Sequence, residues 1–236
     1  MPRVHRPAPV LASATLLRLI WLASPALPVG GFSYSEGLEA AVESGRVRDE
    51  AQARDWLLSQ LELGLARSEG PVLAQAMRAW RRHDADRLAE LQDWWRLTRE
   101  GRELRLMGEQ MGYSLTAWLR AQHPDEPRLD TLAALPPAPA WPIAFALAAT
   151  LAGAPEHEAL LAFGFGWAEN QVQAAMKAVP LGQSAGQRLL GALSDALPEA
   201  AARAQATPDS QRQAMSPMLA ILSAQHEVQY SRLFRS

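Results

Sequence analysis

The side chains through which this chain could do chemistry are its histidines, carboxylates and hydroxyls, and their spacing is the first test. Histidines stand at positions 5, 83, 123, 157 and 226. None forms an H-x-x-x-H or H-E-x-x-H pair, the spacing that sets two imidazoles on one helical face for a metal. Glu156-His157-Glu158 and His226-Glu227 offer mixed oxygen and nitrogen donors. Adjacent helical positions diverge by about 100°, however, so neither run chelates by itself, and a surface or capping role is the simpler reading. Cysteine is absent from all 236 residues, which excludes disulfides, thiolate zinc sites, iron–sulfur ligation and a cysteine nucleophile. Ser33, Ser35 and Ser231 have no local partner that would activate a hydroxyl. No G-x-x-x-x-G-K-[ST] phosphate loop occurs, and Gly164-Phe165-Gly166, a lone G-x-G in a helical pattern, reads as a close helix contact. Two classes stay open on this inventory. One is a helical scaffold or adaptor; the other is a helical metal- or nucleotide-handling enzyme using His226, Glu227 and Glu39.

Composition narrows the partners. Basic residues number 23 and acidic ones 25, a net charge of −2, which argues against a broad electrostatic nucleic-acid footprint. Of the 23 basic residues 22 are Arg, and Lys177 is the single lysine; a codon bias toward Arg accounts for the imbalance. Arg3, His5 and Arg6 precede an apolar stretch from Val10 to Ala23, superficially like a signal peptide. Arg18 divides it, and the uninterrupted part falls short of the roughly 20 residues a spanning helix needs. A flexible leader over residues 1–14 and a cytoplasmic protein without membrane attachment are expected.

The elements that must position any site are helical. Asp49-Glu50-Ala51-Gln52 has the form of a capping box, followed by the stripe Leu57, Leu58, Leu61 and Leu65. Gly70-Pro71 is read as punctuation before Val72, Leu73, Ala76, Met77 and Trp80. Leu88, Leu91 and Trp95 mark another helix. Leu104, Met107, Met111, Leu115 and Trp118 recur at intervals of 3, 4, 4 and 3, with Arg102, Glu103, Arg105 and Glu109 expected on a solvated flank. Further helices are expected from Pro155 toward Val179, over Gln183–Ala204, and after Ser216-Pro217, an N-cap with Pro at N1. Alternating β-branched runs are absent. Residues 123–142 hold six prolines, which exclude a continuous helix and make this stretch a connection inside one unit. The expectation is an all-α, single-domain bundle of roughly ten helices over residues 15–236.

Three segments resist a purely structural reading. Ser24–Glu39 packs two prolines, the Gly30-Gly31 pair, Phe32 and Tyr34 ahead of Glu39. Lys177–Gln183 places the only lysine at a helix break, where an ammonium suits the carboxyl end. The tail His226–Ser236 gathers Tyr230, Arg232, Leu233, Phe234 and Arg235, types that anchor interfaces. The tail either serves a partner or dimer surface or packs back on the chain's own core.

At these three segments the chain resembles the urease accessory protein F (UreF) family. The pattern S-P-x-L-P-x-G-G-[FY]-S-x-S-x-G-L-E is met at Ser24–Glu39, K-x-[IV]-P-x-G-Q at Lys177–Gln183, and H-E-x-Q-Y-S-R-L-F-R-S at His226–Ser236. Ala178 and Val228 stand where Leu and Thr are expected, and the Pro-rich connection is this chain's own. The resemblance implies an all-α, non-enzymatic, homodimeric scaffold without cofactor, acting in nickel-dependent urease maturation. It would bind accessory protein D (H in some bacteria) and the GTPase accessory protein G, dock on apo-urease and modulate GTP hydrolysis. Residue by residue, it implies partner contacts at Gly30, Gly31, Ser33, Tyr34, Glu39, Lys177, Gln183, Glu227, Tyr230, Arg232, Leu233, Phe234 and Arg235. Glu39 and Lys177 match positions associated with the G-facing side, and their opposite charges suggest that they lie close together. Removing Tyr230–Ser236 is expected to break the D complex without unfolding the chain.

Overall fold

Residues 11–99 and 101–236 are described by a computed structural model of the chain; the first ten residues, most of the expected leader, lie outside them. The described residues are helical and contain no strand. Eleven α-helical segments follow in order: α1 (Ser13–Ala23), α2 (Leu38–Glu43), α3 (Glu50–Gln60), α4 (Gly70–Arg82), α5 (Ala85–Leu97), α6 (Arg102–Gln122), α7 (Arg128–Ala133), α8 (Trp141–Leu151), α9 (Glu156–Ala178), α10 (Gln183–Ala206) and α11 (Pro217–Glu227).

Several boundaries follow from local chemistry. Asp49 caps α3, its Oδ1 accepting from the Gln52 amide at 2.9 Å, while Gln52 Oε1 accepts from Arg48 N at 2.9 Å. Pro155 and Ser216 precede α9 and α11 as expected, although the Ser216 side chain makes no cap hydrogen bond. α1 begins at Ser13, two residues inside the expected leader.

Gly70-Pro71 does not separate two rods. Leu61–Glu69 forms a π-helical stretch that joins α3 directly to α4, so the eleven segments make ten separate rods. The wider π turn makes room for the missing Pro71 N–H and its ring, which would otherwise clash with the preceding turn. The Pro-rich connection is also more structured than expected. It contains α7, which buries Leu129 and Leu132, and Pro142 falls in the first turn of α8. The fully buried Gln92 of α5 holds its backbone, donating to the Pro136 and Ala138 carbonyls at 3.1 and 2.7 Å and accepting from the Ala140 amide at 2.9 Å.

α8 is apolar on every face and buried from Pro142 to Ala149, the pattern of a helix enclosed on all sides. α4 and α6 pack on it, and the Trp80 indole donates to the Ile143 carbonyl at 3.1 Å. Trp141, Phe145 and Phe163 form an aromatic cluster at centroid separations of 5.1–5.9 Å. α9 and α10 form a close antiparallel hairpin. A Cβ on Gly164 would lie 2.3 Å from Leu197, so the G-x-G there serves helix packing. One continuous core runs from Leu19 to Phe234. No helix among the described residues is long and apolar enough to cross a membrane.

Gln92→Ala removes the three hydrogen bonds of a buried amide and leaves the Ala140 amide and two carbonyls without that partner. It is expected to lower unfolding stability by about 3 kcal/mol, read as a reduced urea midpoint with unchanged slope.

Candidate functional site

The first and third motifs meet in space around one carboxylate. Gly30 adopts φ +77° and Gly31 brings the backbone close to α9, where an added Cβ would lie 2.7 Å from the Asn170 amide nitrogen. This turn delivers Ser33, Tyr34 and Ser35 to the carboxyl-terminal tail. The Ser33 carbonyl accepts from the Arg235 amide at 2.9 Å. The Ser35 amide donates to the Ser236 carbonyl at 2.8 Å, and the Ser35 hydroxyl donates to the same oxygen.

Glu39, in the first turn of α2, is only 6% exposed. Its Oε1 accepts from the Leu233 amide at 2.7 Å and from Gln229 Nε2 at 3.3 Å; its Oε2 accepts from the Phe234 amide at 2.9 Å and lies 3.1 Å from His226 Nε2. Four donors thus fill the roughly four lone-pair sites of a carboxylate. Charge-assisted bonds to backbone amides are the strong kind, and their complete set is what offsets the cost of burying the charge.

His226 extends the network. The ring is wholly buried, and its Nδ1 lies 2.6 Å from Glu103 Oε2, whose other oxygen accepts from Arg232 Nη1 at 2.6 Å. Both ring nitrogens thus face carboxylate oxygens. Glu227 turns the other way, its Oε1 accepting from the Arg102 amide at the start of α6 at 3.0 Å. Glu103 is therefore not on a solvated flank as expected; α11 and the tail cover it. Glu109 is likewise drawn in, 3.6 Å from Arg96.

The expected proximity of Glu39 and Lys177 takes another form. Glu39 is saturated by tail donors, and Lys177 has no carboxylate within 4 Å among the described residues. Lys177 Nζ instead lies 5.8 Å from the centroid of the Phe234 ring, a cation–π distance. Both residues thus engage Phe234, one through its amide and one through its ring. Gln183 opens α10 and is exposed; no hydrogen bond joins it to the tail among the described residues.

The tail combines the two readings left open for it. Phe234 is 7% exposed and joins the core, whereas Tyr230 is fully exposed and Leu233 is 70% exposed. Arg232 and Arg235 are exposed beside them and line a surface depression of about 330 Å³ together with Tyr34, Arg102 and Leu106. Removing Tyr230–Ser236 consequently takes away a core side chain and two donors to a buried carboxylate, so that truncation is not neutral for folding. The enzyme alternative meets a geometric obstacle: His226 has both nitrogens engaged and Glu227 points away from Glu39. No group of three or more His, Asp or Glu residues among the described ones could hold a metal ion.

Sequence reasoning missed Glu36, which falls at a free position of the first motif. Its φ is +51°, and its carboxyl reaches inward, accepting from Gln171 Nε2 at 3.1 Å. Burial pushes the Glu36 carboxyl up to about 7, and the nearby Glu69 charge adds to the rise. Hydrogen bonds from Trp167 and Gln171 and the Arg99 charge oppose it. Spacing alone offered no signal for this residue, because Glu69 lies 33 positions away and only the tertiary fold brings the two acids together.

The UreF family model matches residues 47–194. The chain is similar, at 64% identity over the whole of both chains, to the urease accessory protein UreF of Methylibium petroleiphilum. It is 57% identical to the protein of the same name from Polaromonas sp., over 98% of each chain. With that of Paracidovorax citrulli it shares 59% identity over 96% of this chain and 91% of the relative.

Glu39→Ala strands the Leu233 and Phe234 amides and the buried His226, and is expected to cost about 3–5 kcal/mol and to expose the tail to protease. Lys177→Ala removes one exposed cation–π contact and should cost no more than about 1 kcal/mol. Limited proteolysis together with urea denaturation of both variants checks the contrast.

Proposed function

The chain belongs to the UreF family of urease accessory proteins, and on that premise we propose that it is a non-enzymatic scaffold and chaperone in nickel-dependent urease maturation. In this reading it works in the cytoplasm as a homodimer, with residues 15–236 acting as one unit. It bridges the D (H) accessory protein and the G GTPase on apo-urease and modulates the GTP hydrolysis that accompanies nickel insertion. Nickel is cargo of that assembly, and the nucleotide chemistry belongs to the GTPase.

The observation that carries the reading is the divided tail. Glu39 and the Ser33–Ser35 backbone hold its main chain while Tyr230 and Leu233 point outward. Ordering two large apolar side chains on a fixed backbone reduces the entropy lost when a partner covers them, and aromatic anchors flanked by Arg are the composition of binding hot spots. The D partner is assigned to this surface, with Arg232 and Arg235 at its edge and Tyr34 in the adjoining depression. Glu39 acts on the surface indirectly by holding it in shape, as do Gly30, Gly31, Ser33, Phe234 and Glu227. Lys177 and Gln183, exposed at the α9–α10 turn, are assigned to the G-facing side.

Co-expression with the D and G proteins followed by size-exclusion chromatography tests the assignment, with a stable ternary species as the expected result. Tyr230→Ala combined with Leu233→Ala leaves the buried tail contacts in place and should reduce D co-purification at least tenfold with unchanged helical circular dichroism. A ternary complex that survives the double substitution overturns the role of the tail. Lys177→Ala is expected to leave the D complex intact while altering nickel-dependent urease activation.

A further inference from the structure

Three observations converge on Glu36 and its neighbours. The segment Ser33–Glu39 has two working sides. Its backbone and the Glu39 carboxylate hold the tail, through Ser33 O, Ser35 N, Ser35 Oγ and both Glu39 oxygens. Its other side is the Glu36 side chain, which points into the protein from a residue held at φ +51°, a conformation that non-glycine residues seldom adopt.

The surroundings of that carboxyl suit its neutral form. Two small pockets of about 50 and 40 Å³ adjoin it, each with room for a water or two. Charged groups that face it are Glu69 from the π-helical stretch and Arg99 beyond α5. Arg99 is already committed, donating to Glu69 at 2.9 Å and to Ser68 at 3.1 Å. α9 contributes only neutral groups, Trp167, Asn170 and Gln171; α6 presents Leu104, Met107 and Met111, and α11 presents Leu219. Among the described residues Glu36 therefore has a like charge beside it and no cation of its own. On the far side of the segment stand Glu39, His226, Glu103 and Arg232, the charged groups of the tail dock.

We propose that Glu36 is a proton-controlled latch: while its carboxyl is protonated the Ser33–Glu39 segment stays seated against α9 with the tail docked on it, and ionisation loosens segment and tail together. Its elevated pKa gives the direction. The seated state binds the Glu36 proton more tightly than a released state in which the group titrates at its ordinary value. The Glu36 contribution to tail docking is then fully present below about pH 4.5, declines as pH rises toward about 7, and is level above that. The ceiling set by the difference between those two values is about 300-fold. The latch operates within one chain and does not depend on which partner covers the tail.

Amide hydrogen exchange of Leu233 and Phe234 in the full-length protein, normalised to an unstructured peptide of the tail sequence, reads it directly. Protection is expected to fall at least tenfold from pH 5 to pH 7 and to stay level from 7 to 8, and Glu36→Gln is expected to abolish that fall. A flat wild-type profile, or the same fall in Glu36→Gln, overturns the latch; the second outcome would hand the pH dependence to His226 and its acids. If circular dichroism shows that Glu36→Gln fails to fold, Glu69→Gln takes its place. That substitution removes the neighbouring negative charge and should move the fall to lower pH, and an unmoved profile overturns the latch equally.

Discussion

The structure turns on a carboxylate that has no unoccupied lone pair. Glu39 sits almost out of reach of solvent, where an unpaired charge would be costly, and is stabilised by four donors that all come from the last eleven residues of the chain. Two of the donors are backbone amides, so the contact fixes the path of the main chain and leaves its side chains free to serve other ends. This explains how one short tail can bury Phe234 and display Tyr230 and Leu233 at once. The dependence runs both ways, because without the tail a buried charge loses its partners, and without the charge the tail loses its path.

The remaining architecture keeps these parts in register. α9 meets the Gly-Gly turn through Asn170 and Glu36 through Gln171, and carries Lys177 in its last turn beside the Phe234 ring. α6 supplies Glu103 to His226 and Arg232, and its first amide is capped by Glu227. The π-helical stretch carries Glu69 into the interior opposite Glu36, where Trp95 and Arg99 hold it at 3.1 and 2.9 Å. An interior dominated by α8, with small residues such as Gly164 at tight crossings, gives these attachments a rigid base. A docking surface is useful only when its side chains are held in place on such a base.

Much of this was legible in the sequence wherever the governing interaction was local. The Asp49 cap, the Pro155 and Ser216-Pro217 helix starts and the 3-4-4-3 stripe of α6 each depend on residues within a few positions of one another, and each appears close to the expected place. Gly70-Pro71 misled because breaker residues end a helix only when it keeps α geometry; a π stretch absorbs the missing donor. Glu103 misled for a different reason. Its helical phase is that of a surface flank, and His226 of α11 and Arg232 of the tail, more than 120 residues away, cover that flank. Lys177 stands at a helix end as expected, but the opposite charge of Glu39 suggested a pairing that the tail amides pre-empt.

By itself the sequence determined the fold class, most helix boundaries and the three motifs that carry the family resemblance, because periodicity, caps and chain punctuation act over one or two helical turns. Only the tertiary structure decided which acids are buried, which cations they meet and how the tail divides between core and surface. Those outcomes rest on contacts between residues as far apart as Glu39 and Phe234, and in a low-dielectric interior the worth of a charge is set by its nearest neighbours in space. Glu36 is the plainest case: one carboxyl among many along the chain, it is singled out by Glu69, Arg99 and α9 closing around it.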